Sequence, residues 1–290
     1  MFSAFVASLK SLIIGVTAVV ISLLPHLSSL THHPSTSVTK VPSSSSQTST
    51  STTSTSADSA LTSNWSGYVT TKSVFTGITG SWTVPSAIGS GPESADATWI
   101  GIGGVSSSDL IQVGTQNTSD PNGQMSTSAF YEMLPADSVP LDSMNVNPGD
   151  SITASIIESP SGLWTISLRD NSDGNAFSQS FAYSSSESSA EWIEEAPSNG
   201  QTQVPLDDFG SVTFTDASTI INGQSVNLSQ SGAKPVIMLD SEDQILAAAS
   251  AISSNGSSFT VARSAVSEQY INQYNSYGGG FSRQGFGFGR

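Results

Sequence analysis

The sequence predicts an all-β fold, an antiparallel β-sandwich, for most of its 290 residues. Apolar and polar residues alternate in many short runs, and this period of two is typical of half-buried strands. Clusters of Gly, Pro, Asn and Ser separate the runs, as turns separate the strands of a sandwich. Sustained helical periodicity is absent; only residues 243–250 could form either a helix or a strand.

The clearest strand covers residues 163–169, where Trp164, Ile166 and Leu168 lie on one face and mostly polar residues on the other. The same pattern predicts further strands along the chain. They are expected at 67–74, 80–84, 98–102, 110–114, 126–133, 151–157, 177–183, 211–215 and 236–239.

Composition divides the chain into four regions. Residues 1–34 are predicted to be a signal peptide or, alternatively, an N-terminal anchor, because their apolar run at 11–24 is shorter than the roughly 18 residues of a membrane span. Residues 35–60 are Ser/Thr-rich and read as a disordered linker or propeptide, and 271–290 as a Gly-rich disordered tail. Residues 61–270 form the predicted domain of a secreted, extracellular protein, expected to be a monomer and to have no stable membrane partner unless the N-terminal segment is retained.

The charge balance restricts the partners and the chemistry. Eight Lys+Arg against 23 Asp+Glu give a net charge of -15, which argues against nucleic acid and anionic membranes as partners. There is no Cys, and the three His residues all precede residue 34, so a Cys/His metal site and an imidazole base are not expected in the domain. No metal or other cofactor is predicted, and carboxylates and amides remain for any catalysis. A chain so poor in bases also repels itself little in acid, which favours an acidic environment.

Three polar side chains stand inside apolar strand segments. Alternation places Glu132 on the face of Phe130 and Leu134, and Glu191 on the face of Ile193 and away from Trp192. Partial burial would raise the pKa of either carboxyl group and suit it to acid–base work. Gln112 lies within the apolar run LIQVG. The alternative for all three residues is an ordinary position at the sheet surface or, for Gln112, a hydrogen-bonded amide in the core.

Seven short segments follow one another in a characteristic order. They are SNWSGY at 63–68, GSWTVP at 80–85, TWIGI at 98–102, LIQVG at 110–114, YE at 131–132 with Pro135, AEWI at 190–193 and FGSVTF at 209–214. In this order they resemble the glutamic peptidases of the eqolisin family. The resemblance implies a jelly-roll-like β-sandwich of two packed seven-stranded antiparallel sheets, and the hydrolysis of peptide bonds in protein or peptide substrates.

The resemblance also implies roles for individual residues. Gln112 matches the catalytic glutamine and Glu191 the catalytic glutamate, while Trp65, Trp99 and Glu132 match positions that line the substrate cleft. Glu191 would activate a water molecule, and the Gln112 amide would stabilise the oxyanion. A carboxylate with a pKa near 4 would suit a peptidase that works in acid.

Departures from the family pattern affect the cleft and not the catalytic pair. The family has an Asp where Gly103 stands, another acid near Gln116 and an aromatic residue at Leu134, and its disulfides are absent here.

Two other functions remain open at this stage. A glycoside hydrolase on a jelly-roll sandwich could use Glu132 and Glu191 as its two carboxyl groups. A secreted carbohydrate-binding module could use Trp65 and Trp99 as exposed stacking residues, whereas Trp82, Trp164 and Trp192 are expected in the core.

Overall fold

The computed structural model describes residues 59–198 and 203–263, and these residues confirm the all-β prediction. The segment 1–34, nearly all of the linker 35–60, and the tail 271–290 lie outside the described residues, as does 264–270. Within the described ranges the one helix is α1 (Leu228–Ser231), and no helix has the length and apolarity that crossing a membrane requires.

Sixteen strands make up the domain. In chain order they are β1 (Ala60–Thr62), β2 (Trp65–Thr71), β3 (Phe75–Thr83), β4 (Ala95–Gly103), β5 (Leu110–Ser119), β6 (Met125–Met133), β7 (Val139–Pro140), β8 (Ser151–Glu158), β9 (Leu163–Asp170), β10 (Ala176–Ala182), β11 (Ser189–Glu195), β12 (Ser211–Ile221), β13 (Gln224–Asn227), β14 (Lys234–Leu239), β15 (Ile245–Ala249) and β16 (Phe259–Arg263).

Hydrogen bonds connect the strands in one continuous path. Its order is β10-β9-β8-β3-β12-β16-β15-β14-β2-β11-β4-β5-β6-β7, with β1 paired to β14 and β13 to β12. All pairs are antiparallel except β1 with β14. The path folds over itself into two layers, so the sandwich is confirmed. The two seven-stranded sheets are not separate, however, because β14, β15 and β16 carry the hydrogen bonding from one layer to the other.

The main core fills the space between the two layers. Trp82 and Trp164 come from one layer and Trp192 from the other, and all three are buried there as predicted. The Trp82 indole N–H donates to Thr115 Oγ1 at 3.0 Å, and that of Trp192 to the carbonyl oxygen of Thr79 at 2.8 Å. Both tryptophans therefore bridge the layers with a satisfied polar group.

A second apolar cluster lies on the opposite face of one layer. Its members come from β2, β4, β5, β6, β11 and β14 and the loop after β6: Trp65, Val69, Ala97, Trp99, Leu110, Phe130, Leu134, Ile193 and Val236. We call the surface of β2, β11, β4, β5 and β6 that carries this cluster the site face. The layer is therefore apolar on both faces, which explains why β4 and β11 are buried along their whole length.

The predicted strands are all present, but their ends differ from the prediction. The strand expected at 67–74 ends at Thr71, because Lys72 adopts a positive φ of 72° and turns the chain before β3 begins at Phe75. The ambiguous segment 243–250 forms β15, which is held between β14 and β16.

Buried carboxyl groups cluster at one end of the layer, facing the core. Asp96, Glu194 and Asp207 are all fully buried. Asn117 donates to both Asp96 oxygens at 3.1–3.2 Å, and Thr98 donates to Glu194 at 2.7 Å. Burial raises the pKa of Asp96 to about 7, and the nearby Asp207 adds to this effect against the opposing hydrogen bond from Asn117. Burial and the proximity of Asp96 likewise raise the pKa of Glu194.

We expect this cluster to stabilise the fold more in acid than at neutral pH. An acid whose pKa is higher in the folded chain stabilises the fold fully below its unfolded pKa and loses that contribution as the pH rises towards the folded value. For Asp96 this window runs from 3.8 to about 7. We expect the free energy of unfolding to fall across this window, and Asp96→Asn to reduce the fall by roughly 2 to 4 kcal/mol.

Chemical denaturation at a series of pH values checks this prediction. The exposed Asp142→Asn removes the same charge without burial and serves as the matched control. An equal loss of stability with pH in wild type and in Asp96→Asn would contradict the assignment of the loss to this cluster.

Candidate active site

Strand register brings the predicted catalytic residues into one row across the site face. Glu191 on β11 lies opposite Gly101 on β4, Gly101 lies opposite Gln112 on β5, and Gln112 lies opposite Glu132 on β6. Residues in register point to the same face of a sheet. Glu191 and Gln112 are therefore two strands apart, about 10 Å between their Cα atoms, and their side chains rise on either side of a glycine.

The absence of a side chain at Gly101 allows neighbouring side chains to pack closely above β4. A Cβ at this position would lie 2.8 Å from the Trp99 ring and 3.0 Å from Leu110 Cδ1, closer than real side chains approach. The absence of a side chain lets these two neighbours lean over β4 between the carboxyl group and the amide. Gly101 therefore separates Glu191 from Gln112 and leaves room for the Trp99 and Leu110 side chains between them.

Gln112 and Glu132 form a direct contact. The Gln112 Nε2 donates to Glu132 Oε2 at 2.5 Å, and both side chains have no exposed surface. Gln112 Oε1 and Glu132 Oε1 have no hydrogen-bond partner among the described residues. Burial raises the pKa of Glu132 to about 8; Glu195 and Asp137 raise it further, and Gln112 lowers it.

Glu191 is wholly buried, and neither of its carboxyl oxygens has a hydrogen-bond partner among the described residues. Burial raises its pKa well above the usual range; the neighbouring Ser189 hydroxyl opposes this rise, and the charge of Asp109 adds to it. The direction of this shift is the one expected from burial of the carboxyl group. The described residues therefore leave the hydrogen-bonding capacity of both oxygens unused.

Trp65, Trp99 and a further glutamate, Glu195, form a connected group on the site face. Trp65 and Trp99 pack edge to face, with ring centroids 5.2 Å apart and an interplanar angle of 78°. The Trp99 indole N–H donates to Glu195 Oε2 at 2.8 Å, and Asn64 Nδ2 donates to Glu195 Oε1 at 3.1 Å. Glu195 thus fixes the orientation of the Trp99 ring against the site face.

Tyr183 forms two backbone hydrogen bonds beside Gln112 and Glu132. The Tyr183 hydroxyl accepts from the Leu110 N–H at 2.9 Å and donates to the Leu134 carbonyl oxygen at 2.8 Å. It therefore ties the segment after β10 to the ends of β5 and β6, close to Gln112 and Glu132. Nearby, Gly103 has a φ of +94°, and a Cβ at this position would lie 2.9 Å from Asp109 Oδ2. The Asp109 carboxylate therefore lies where an acidic side chain at position 103 would start.

All five site residues named from the sequence lie on the site face. The predicted faces of Glu132 and Glu191 are confirmed, and the alternative of solvated surface positions is wrong for Glu132, Glu191 and Gln112, which are all 0% exposed. The expectation that Trp65 and Trp99 are exposed stacking residues is also wrong. Trp65 is 9% exposed and Trp99 0%, because each packs against the other in the second apolar cluster.

Glu195 is the residue that the sequence did not single out. Its spacing of four from Glu191 on a strand already indicated a shared face. Nothing in the sequence, however, indicates that its partners are Asn64 and Trp99, which are 131 and 96 residues away.

Comparisons with known proteins agree with this geometry. The Peptidase A4 family matches residues 63–263. The chain is 32% identical to scytalidopepsin B of Scytalidium lignicola over 193 residues, 62% of this chain and 72% of the relative. It is 28% identical to aspergillopepsin-2 of Aspergillus niger over 189 residues, 57% of this chain and 67% of the relative.

Solved structures agree as well. A scytalido-glutamic peptidase in complex with a peptide-based transition state analogue matches with a TM-score of 0.59 and 27% identity, covering 69% of this chain and 98% of that one. The aspergilloglutamic peptidase of Aspergillus niger matches with a TM-score of 0.52 and 27% identity over 59% of this chain and 99% of that one. The chain therefore belongs to the Peptidase A4 family, the eqolisins, and is a glutamic-type endopeptidase.

Proposed function

We propose that this chain is a secreted, acid-acting endopeptidase that cleaves protein and peptide substrates with Glu191 as general base and acid and Gln112 as oxyanion donor. The observation that carries the proposal is the row in which Gly101 alone stands between Glu191 and Gln112, with both Glu191 oxygens unpartnered. A scissile carbonyl bound between these two side chains would have the carboxyl group on one side and the amide on the other. Secretion is supported by the apolar run at 11–24 and by the secreted-type composition.

The reaction follows from these two side chains. Ionised Glu191 takes a proton from a water molecule as the water oxygen attacks the carbonyl carbon. The carbonyl oxygen becomes negatively charged and accepts a hydrogen bond from Gln112 Nε2. When the C–N bond breaks, protonated Glu191 gives its proton to the leaving amine. Glu191 is then a carboxylate again, and the products are a carboxylic acid and an amine.

The raised pKa of Glu191 sets the lower limit of the working range. Only the ionised form can act as the base, so the active fraction of free enzyme grows as the pH rises towards the pKa of Glu191. The acid-stable carboxyl cluster around Asp96, with a pKa of about 7, weakens the fold at the upper end. Ionisation of Glu191 and stability of the fold therefore change in opposite directions as the pH rises.

The peptidase reading accounts for the site better than the glycoside hydrolase. Retaining glycosidases place their carboxyl groups about 5 to 5.5 Å apart. Glu191 and Glu132 are three strands apart, roughly 14 Å between Cα atoms, and Glu132 is hydrogen-bonded to the intervening Gln112. No free stacking tryptophan supports a carbohydrate-binding module, since Trp65 and Trp99 are buried.

Digestion of an unfolded protein by the full chain tests the proposal. We expect internal cleavage with an optimum below neutrality, not inhibited by pepstatin, and cleavage of a peptide whose two ends are blocked. Reactions from about pH 2 to about pH 8 define the optimum. Inactivity of a folded sample at every pH, or complete inhibition by pepstatin, would overturn the proposal.

A further inference from the structure

Glu132 is the direct neighbour of Gln112 and the sole hydrogen-bond partner of its amide among the described residues. The two residues face each other across β5 and β6, and the 2.5 Å hydrogen bond runs from Gln112 Nε2 to Glu132 Oε2. Both are fully buried. A contact of this kind occupies a carboxyl oxygen that a substrate would otherwise meet, so Glu132 is better placed to act on Gln112 than on a peptide.

The orientation of the Gln112 amide decides what it can do. Rotation about the last side-chain torsion of a glutamine has two broad positions, which exchange the oxygen and the nitrogen. The nitrogen end stabilises an oxyanion, whereas the oxygen end would repel it. An acceptor oxygen of Glu132 binds one N–H of Gln112 and leaves the second N–H for the substrate carbonyl. The observed cross-strand hydrogen bond, in which Glu132 Oε2 is the acceptor, corresponds to the useful orientation.

The charge of Glu132 decides whether this arrangement can serve catalysis. An ionised Glu132 would place a negative charge beside the position at which the oxyanion forms, in a buried site where water screens it little. The charges that act on Glu132 are those of Glu195 on β11 and Asp137 in the loop after β6, both acidic. Tyr183, whose own pKa is raised by burial to about 12, stays neutral, and Glu191 on β11 is the further acid of the row. Burial, which is the largest cause, and the charges of Glu195 and Asp137 favour the neutral carboxylic acid, against the opposing hydrogen bond from Gln112.

We propose that Glu132 is a positioning residue, which as a neutral carboxylic acid holds the Gln112 amide with one N–H directed at the substrate carbonyl. Loss of the Glu132 proton then ends the reaction at high pH. This inference rests on the proposed function and assigns Glu132 a task other than lining the cleft for substrate.

Two substitutions distinguish the hydrogen-bond acceptor of Glu132 from its charge. Glu132→Gln keeps an acceptor oxygen but cannot ionise, and Glu132→Ala has neither. We expect Glu132→Ala to lower kcat by up to about 100-fold, the effect of a misplaced catalytic group, with little change in KM. We expect Glu132→Gln to keep kcat within a few-fold of wild type in acid and to extend the active range to higher pH. The exposed Glu242→Gln is the matched control.

A double-mutant cycle tests whether Glu132 acts on catalysis through Gln112. If Glu132 acts through Gln112, Glu132→Ala should cost almost nothing further in a Gln112→Ala background. Full additivity of the two losses would overturn the inference, and so would a raised KM with unchanged kcat in Glu132→Gln. An unchanged upper pH limit in Glu132→Gln would also overturn it, and this measurement decides the question even if Glu132→Ala does not fold. Failure of the proposed function is distinct, since Gln112→Ala would then keep full activity.

Discussion

Replacing Glu191 with Gln should lower kcat/KM by about 10³- to 10⁴-fold. A general acid–base group contributes roughly 10²- to 10⁴-fold, and Glu191 is proposed to act in both halves of the reaction. Glutamine has nearly the same shape, so the buried position between Val69 and Gly101 is filled as before. Removal of a buried carboxyl group with a raised pKa should also leave the fold at least as stable at neutral pH.

Steady-state cleavage of an end-blocked peptide measures this loss. Glu242→Gln removes a carboxylate from the exposed turn before β15 and should keep wild-type activity. A loss of less than about 10-fold in a folded Glu191→Gln protein would exclude Glu191 as the general base.

Replacing Gln112 with Ala should lower kcat by about 10²- to 10³-fold with a small effect on KM. This is the size of the loss when one oxyanion donor is removed from an acyl-transfer site, and the interaction strengthens in the transition state. The change also leaves the Glu132 carboxyl group buried without its one donor, which raises the pKa of that group further because Gln112 lowers it in the wild type.

The exposed Gln179→Ala on the edge strand β10 is the control for loss of an amide. Gln112→Glu provides a second test, because a carboxyl group at this position donates a hydrogen bond only while it is protonated. Its activity should therefore be confined to lower pH than that of the wild type. A rise in KM with unchanged kcat in Gln112→Ala would assign Gln112 to substrate binding instead.

The sequence predicted which face each site residue occupies but not which residues meet. Alternation along β6 and β11 correctly placed Glu132 with Phe130 and Glu191 with Ile193. The contact between Gln112 and Glu132 depends on the register of β5 against β6, and alternation alone leaves register open in steps of two.

Burial of side chains was the weakest part of the prediction from sequence. Trp65 and Trp99 were expected at the surface, yet both are buried. In a layer covered on one face by the main core and on the other by a second apolar cluster, polar residues of the strands have no solvent side. Local alternation cannot reveal this, because it describes a strand with one wet face.

The position of β11 has a consequence for how the enzyme comes into being. This strand is the eleventh in the chain, yet it lies between the second and the fourth. Gln112 and its neighbours can pair as consecutive hairpins, whereas Glu191 reaches them only when β11 enters between β2 and β4. Such distant pairings form slowly compared with local ones. The proposed catalytic row is therefore incomplete in any partly formed chain, and peptide hydrolysis by this row has to wait until the layer has closed.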